Sequence, residues 1–253
     1  MLLRKANTYR LYPTPEQAAE LARTAGACRF VYNLALEQRR DWWRAYKANT
    51  GHAISFAGQC RELTALRAEV DWLKAAPIHP LQQALRDLDR AYRNFFTGRA
   101  AYPGPRKRGV NDSFRFPDPV SLRVERTGRS TGRIKLPRFG WVAIRGWYAV
   151  PGAIRNITLS CRAGQWFAAV QWEVAVDEPR PSIAPAVGID LGVAVFAALS
   201  DGTSITPANH GKKALRALRR AQRDLARKKR GSANRRKAMR RVARIHQRVA
   251  NAR

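Results

Sequence analysis

VGIDLGVAVFAALSDG, residues 187–202, reads as two short apolar strands around a tight turn, with one carboxylate, Asp190, inside the first. A carboxylate among β-branched residues on a buried strand is costly unless it meets a metal, a cation or a set of donors. Metal-dependent nucleases hold their ions this way, with carboxylates around two cations ~3.5–4 Å apart. The acids that follow are Asp201 and Asp224, and no Glu comes after Asp190. Asp201 belongs to an Asp-Gly turn and Asp224 to a basic helix, so neither is a convincing second ligand. The stretch announces a catalytic strand without its companions.

Read alone, GIDLG (188–192) has other meanings. Its glycines also suit a phosphate loop of the actin and heat-shock ATPase kind, and a strand-end Asp can simply be hydrogen-bonded. Strands over 194–199 and 203–206 extend the Asp190 strand into a three-stranded meander. Downstream, residues 212–253 hold 18 Lys or Arg and one acid, Asp224. Leu215, Leu218 and Leu225 share one helical seam; Met239, Val242, Ile245 and Val249 share another; Gly231-Ser232 separates them. The pattern predicts two antiparallel amphipathic helices with narrow apolar seams and cations elsewhere. A solvated coiled coil would mix both signs of charge, and here the acidic half is missing. Arg227, Lys228, Lys229, Arg230, Arg235, Arg236, Arg240 and Arg244 are the candidate phosphate contacts. Cations on exposed helix faces position a backbone and do not read bases.

Upstream of a Pro-rich linker, 179–185, the period is 2 from Ser113 onward. Phe114 and Phe116, Leu122 and Val124, Ile134 and Leu136, 141–144, 154–160 and 165–176 read as strands. Gly128, Gly132, Gly152 and Gly164 punctuate them. A strand over 5–12 is placed to complete this set as a small β-barrel, which makes everything between them an insertion. That insertion is helical. Thr14-Pro15-Glu16-Gln17 opens a helix with a capping box, Gly26 is a weak point or turn within it, a second helix opens at Ser55, and a third follows Pro77 or Pro80 and ends near Gly98. A helix-turn-helix around Gly26 is considered, but the turn is too short and too apolar. The connector 99–109 carries Arg106, Lys107 and Arg108, and Arg115 follows in the Phe114–Phe116 strand; these cations are the second set of candidate phosphate contacts, with the two Phe as core.

Bulk properties agree. The 253 residues are 45% apolar and carry a net charge of +30, more than a solvated surface needs. Such charge repels itself in a compact state and points to a polyanionic partner, nucleic acid. No apolar run approaches ~18 residues, and MLLRKANTYR at 1–10 lacks a signal-peptide core, so a cytoplasmic chain with no membrane partner is expected. Cys28, Cys60 and Cys161 lie far apart, and His52, His79, His210 and His246 form no ligand-spaced cluster, so no zinc site is expected.

Taken in order, YRLYPTPEQ (9–17), CRFVYNLALEQR (28–39), PLQQALRDLDRAYRNFF (80–96), DSFRFP (112–117), IKLPRFGWVAIRGW (134–147), residues 187–202 and ARKKRGSANRRKA (226–238) resemble the TnpB family. These are transposon-encoded RNA-guided nucleases related to type V CRISPR effectors. The resemblance implies an α+β chain: a wedge-like β-barrel from 1–13 and 110–178, a helical recognition insertion with its basic connector over 14–109, and a partial RuvC-like, RNase H-like domain over 179–253 whose basic helical hairpin is 208–253. It implies Asp190 as the first carboxylate of a Mg²⁺ site, a guide RNA from the transposon end, and a double-stranded DNA target. Family members continue with a Glu strand, a four-Cys zinc element and a final Asp, which residues 1–253 lack. The expectation is therefore an incomplete TnpB that binds RNA and DNA and does not cleave alone. Two alternatives stay open: a cleavage-dead RNA-guided regulator, and a plain helix-turn-helix or basic nucleic-acid-binding protein.

Overall fold

A computed structural model describes residues 1–45, 54–110, 112–148, 150–177, 186–207 and 210–251. The chain divides into two compact units, Met1–Val176 and Asp177–Arg253.

The first unit is built on one antiparallel sheet of seven strands: β1 (Leu2–Tyr12), β2 (Ser113–Phe116), β3 (Arg123–Arg126), β4 (Thr131–Leu136), β5 (Gly140–Arg145), β6 (Ala153–Arg162) and β7 (Gln165–Ala175). Their order is β2-β6-β7-β1-β5-β4-β3. β1 lies inside the sheet, pairing with β7 along Leu2–Arg10 and with β5 along Arg10–Tyr12. The first strand therefore joins strands more than a hundred residues later, and the helices between β1 and β2 are an insertion. Alternate residues turn inward as a period of 2 requires: Tyr9 and Leu11, Ile134 and Leu136, Val142 and Ile144, Ile157 and Leu159 are buried. The β6–β7 turn is Ala163-Gly164 with φ of 51° and 76°. Two positive φ values in a two-residue turn match the twist of the strands it joins.

The expected barrel is not closed. β2 and β3 form opposite edges and do not pair with each other among the described residues. Each is four residues long, too short to offer a long edge for pairing. Phe139, in the β4–β5 turn, lies 6.3 Å from Phe114 and 6.2 Å from Phe116 between ring centres. The sheet stays open, with β2 and β3 as its edges.

The insertion holds α1 (Pro15–Ala45), α2 (Phe56–Glu69), the one-turn α3 (Asp71–Lys74) and α4 (Ile78–Phe96). Thr14 and Gln17 make the capping box: the Thr14 N–H donates to Gln17 Oε1 at 3.1 Å and the Gln17 N–H to Thr14 Oγ1 at 3.3 Å. Ser55 caps α2 by accepting from the Gly58 N–H at 3.0 Å. No turn occurs at Gly26. α1 runs straight through it, because Ala25, Ala27 and Cys28 around it are buried and Leu21, Val31, Tyr32, Ala35 and Leu36 continue the same face. Burial of that face outweighs the ~1 kcal/mol that a mid-helix Gly costs. α4 presents Leu81, Leu85, Leu88 and Tyr92 to α1. The helices are fastened to the sheet by Gln17 Nε2, which donates to the carbonyls of Phe139 at 2.9 Å and Trp141 at 3.0 Å, and by Arg29 with Asp112 at 2.8 Å.

In the second unit β8 (Ile189–Leu191), β9 (Ala197–Leu199) and β10 (Ser204–Ile205) form an antiparallel meander ordered β10-β9-β8. α5 (His210–Ala226) and α6 (Ala233–Asn251) form the basic hairpin. Its seam differs from the expected one. Leu218, Ala221, Ala238 and Val249 are buried, whereas Leu215 and Met239 are exposed. The inward positions step by three and four, 214-218-221-225 and 235-238-242-245-249. That register, with alanines letting the helices approach, leaves the two larger side chains outside.

Candidate nucleic-acid interface

The connector cations part company in three dimensions. Arg106 turns inward. Its Nη2 lies 2.9 Å from Asp87 Oδ2, and its guanidinium sits 4.0 Å from the centre of the Tyr32 ring. Its backbone N–H donates to Asn33 Oδ1 at 2.7 Å, and Asn33 Nδ2 donates to its carbonyl at 3.0 Å. Burial pushes the Tyr32 hydroxyl pKa up, and Arg106 pulls it partly back. Arg106 thus holds the connector to α1 and α4. Lys107 and Arg108, next along the chain, are exposed. Arg115 lies half-buried on β2 and donates from Nε to Thr158 Oγ1 at 3.2 Å.

The hairpin makes a similar division. Arg235 occupies an inward position and donates from Nη1 to the carbonyls of Leu225 at 3.2 Å and Lys228 at 3.1 Å. Leu225 lies in the last turn of α5 and Lys228 just beyond its end, and the Leu225 carbonyl also accepts from the Lys228 N–H at 3.2 Å, so Arg235 adds a side-chain donor to the end of one helix from the next. Ser232 starts α6, its Oγ accepting from the Arg235 N–H at 3.1 Å. Lys228 pairs with Asp224 at 3.3 Å. Arg227, Lys229, Arg230, Arg236, Arg240 and Arg244 are exposed, the last three spaced by four residues along one face of α6. A cleft of about 970 Å³ along α5 adds Arg216, Arg219, Arg220, Arg223 and Arg241 beside Arg227. Sequence reasoning overlooked these five; their recurrence at three- and four-residue steps was the available signal.

Asp190 is not buried. It stands on β8, the edge strand of the meander, opposite Ala198, and is exposed together with Ile189 and Leu191. β8 pairs on one side only, and no layer of described residues covers it. Asp201 is spent on its turn: Oδ1 accepts from the Thr203 N–H at 2.8 Å, and hydrogen bonds from Thr203 hold its carboxyl below the usual range. Among the described residues no three His, Cys, Asp or Glu side chains come together as metal ligands. A two-metal site needs several carboxylates and Asp190 could supply one at most; the side chains described here do not fit such a site by themselves.

Two family models match. One described as "Helix-turn-helix domain" covers residues 1–48, and one described as "Probable transposase" covers residues 169–253; both are OrfB models of the IS605 group. A protein of Escherichia coli (strain K12) named "Putative RNA-guided DNA endonuclease InsQ" is 41% identical over 98% of this chain and 60% of its own length. The chain belongs to the TnpB family. A second TnpB relative, from Streptomyces pristinaespiralis and named "Putative RNA-guided DNA endonuclease", is 37% identical over 99% of this chain and 61% of its own length. The chain thus spans about three fifths of the TnpB relatives it matches. A structure titled "Cryo-EM structure of CRISPR-Cas12f Ternary Complex" is 12% identical with a TM-score of 0.42, over 93% of this chain and 58% of that one. In this TnpB chain the segment matched as helix-turn-helix contains β1 and the uninterrupted α1. Among the described residues no helix is long and apolar enough to cross a membrane.

Proposed function

We propose that this chain is the nucleic-acid-holding part of an RNA-guided DNA endonuclease of a transposable element. In this reading the sheet, from 1–13 and 110–178, acts as the wedge-like module, and 14–109 is the recognition insertion. Residues 179–253 begin the RuvC-like, RNase H-like domain, with Asp190 as its first carboxylate. The partners are a guide RNA and a double-stranded DNA target. One observation carries the proposal: along the hairpin, residues 210–251 hold 17 Lys or Arg against one acid, and the described side chains leave most of those charges facing solvent. Such a surface is stable beside phosphate and strained by self-repulsion without it. In the first unit, Lys107 and Arg108 are exposed cations of the same kind.

The cleavage step belongs to Mg²⁺ chemistry in this family, and residues 1–253 present one of its carboxylates. Binding without cleavage is therefore the activity proposed for these residues. The test uses the full chain with RNA from a transposon end and matching DNA, with and without Mg²⁺. RNA binding is expected to weaken with salt at a slope of about −5 in log affinity against log salt if ~6 cations meet phosphates. No DNA cleavage is expected. Affinity independent of salt overturns the electrostatic reading, and cleavage that disappears in Asp190→Ala overturns the reading of an incomplete site.

A further inference from the structure

The outer face of the seven-stranded sheet carries a second unneutralised cluster, away from the connector cations. On neighbouring strands β1 and β5, Arg10 stands directly opposite Arg145. Both are exposed, and neither has an ion-pair partner among the described residues. Like charges directly opposite one another repel across strands. Two other arginines of the sheet are matched by acids: Arg133 with Glu125 at 2.8 Å and Arg155 with Glu173 at 3.0 Å. What gathers the Arg10 and Arg145 heads is Tyr12, on the same face of β1. Each guanidinium carbon lies 4.8 Å from the centre of its ring. Two cations held at one ring, neither paired with an acid, are gathered where an anion would relieve their repulsion.

The neighbours say which anion. Phe167 of β7 is directly across from Arg10 on its other side, and Trp141 lies further along β5 with the exposed Lys135 opposite. Both rings are only half-buried, and each already carries one guanidinium, Arg133 at 4.3 Å from the centre of Trp141 and Arg162 at 5.9 Å from that of Phe167, so a base would take a place on a ring that a cation shares. Flat aromatic surfaces beside a pair of unneutralised cations suit a strand whose bases are free to stack, and a duplex keeps its bases stacked on each other. We infer that Arg10, Tyr12 and Arg145 clamp the phosphate backbone of an unpaired nucleic-acid strand, with Trp141 and Phe167 as stacking surfaces. This rests on the proposed function, since it presumes a nucleic-acid partner, and it names the form of that partner and where the sheet takes it.

The test compares the full chain with its Arg10→Gln/Arg145→Gln variant. The probes are labelled RNA and DNA single strands of about 15 nucleotides, and the matching duplex. The variant is expected to bind both single strands about tenfold more weakly, with a salt slope shallower by about 1.4 for two lost phosphate contacts. Duplex binding is expected to change less than about twofold, because the hairpin and connector cations remain. A loss on both single strands assigns any unpaired strand; a loss on RNA alone assigns RNA. Unchanged single-strand affinity and slope, or a loss confined to duplex, overturns the clamp while leaving nucleic-acid binding intact. Absence of binding by the parent chain overturns the proposed function instead. Should the variant unfold, photo-crosslinking of the parent chain to 5-iodouridine RNA decides: adducts at Tyr12, Trp141 or Phe167 support the clamp, and adducts only elsewhere overturn it.

Discussion

Arg106 Nη2 lies 2.9 Å from Asp87 Oδ2, so the first cation of an Arg-Lys-Arg run is held by α4 while the next two face solvent. Arg106→Ala is expected to lose about 1–2 kcal/mol, mostly through the stack on Tyr32 and the lost hydrogen bond. The ion pair itself, roughly a third exposed on both sides, should show a coupling of only about 0.5–1 kcal/mol in a double-mutant cycle with Asp87→Ala. Lys107→Ala and Arg108→Ala should stay within about 0.5 kcal/mol of the parent and weaken RNA binding instead. Urea unfolding and RNA titration of the same variants separate the two roles; equal destabilisation at all three positions would contradict it.

Gly26→Ala should stabilise the first unit by about 0.5–1 kcal/mol. A Cβ there meets only Arg29 Nη2, at 3.7 Å, and the backbone is helical. In a helix-turn-helix with Gly26 in a left-handed turn, the same change would destabilise. The thermal midpoint reads the sign directly.

The hairpin arginines should divide into a structural one and a binding set. Arg235→Gln removes the donor to the Leu225 and Lys228 carbonyls and should cost about 1–2 kcal/mol of hairpin stability. Arg236→Glu, Arg240→Glu and Arg244→Glu together should leave helicity nearly unchanged and lower RNA affinity for every sequence alike. Circular dichroism melts and binding to two unrelated RNA sequences check this. Loss on one sequence only would reveal base readout.

Cys28 is buried, and that burial pushes its thiol up to about 12 from an ordinary 9.0. Unfolded chain releases this proton near 9 while the folded chain holds it to about 12, so unfolding releases a proton in that window. Stability from this group is whole below pH 9 and falls as pH rises towards 12. At pH 8 Cys28 should resist alkylation, while the half-buried Cys60 and Cys161 react first. Mass mapping after brief alkylation shows the order, and early modification of Cys28 would contradict the packing of α1.

Much of the layout was legible because it follows local rules. The capping box at Thr14 and Gln17, the Ser55 cap, the Leu81–Tyr92 stripe and the Phe114/Phe116 alternation each depend on residues within a few positions of one another. What escaped depended on distance. Helical spacing from Leu21 through Leu36 already spans Gly26, but whether that glycine bends the chain is decided by the burial of the residues around it. Nothing in the Arg-Lys-Arg run signals that Asp87, nineteen residues earlier, will claim its first member. The barrel failed on the same ground: closure is decided by whether β2 reaches β3, two strands whose sequences do not encode their distance, and they remain the sheet's separate edges.

By itself the sequence determined the alternation of strand and helix, the insertion of helices after β1, the charge that calls for a polyanion, and the family likeness later borne out by relatives 41% and 37% identical. Charge and periodicity are carried by the residues whatever they touch. Only the tertiary structure decided which cations are free. Arg106 and Arg235 are consumed by a carboxylate and by carbonyls at a helix end, whereas Arg10 and Arg145, unremarked in the sequence, face each other across strands, each 4.8 Å from the Tyr12 ring centre, without a counter-charge. The reason is that availability for phosphate depends on what stands within a few ångströms, and those neighbours come from distant parts of the chain.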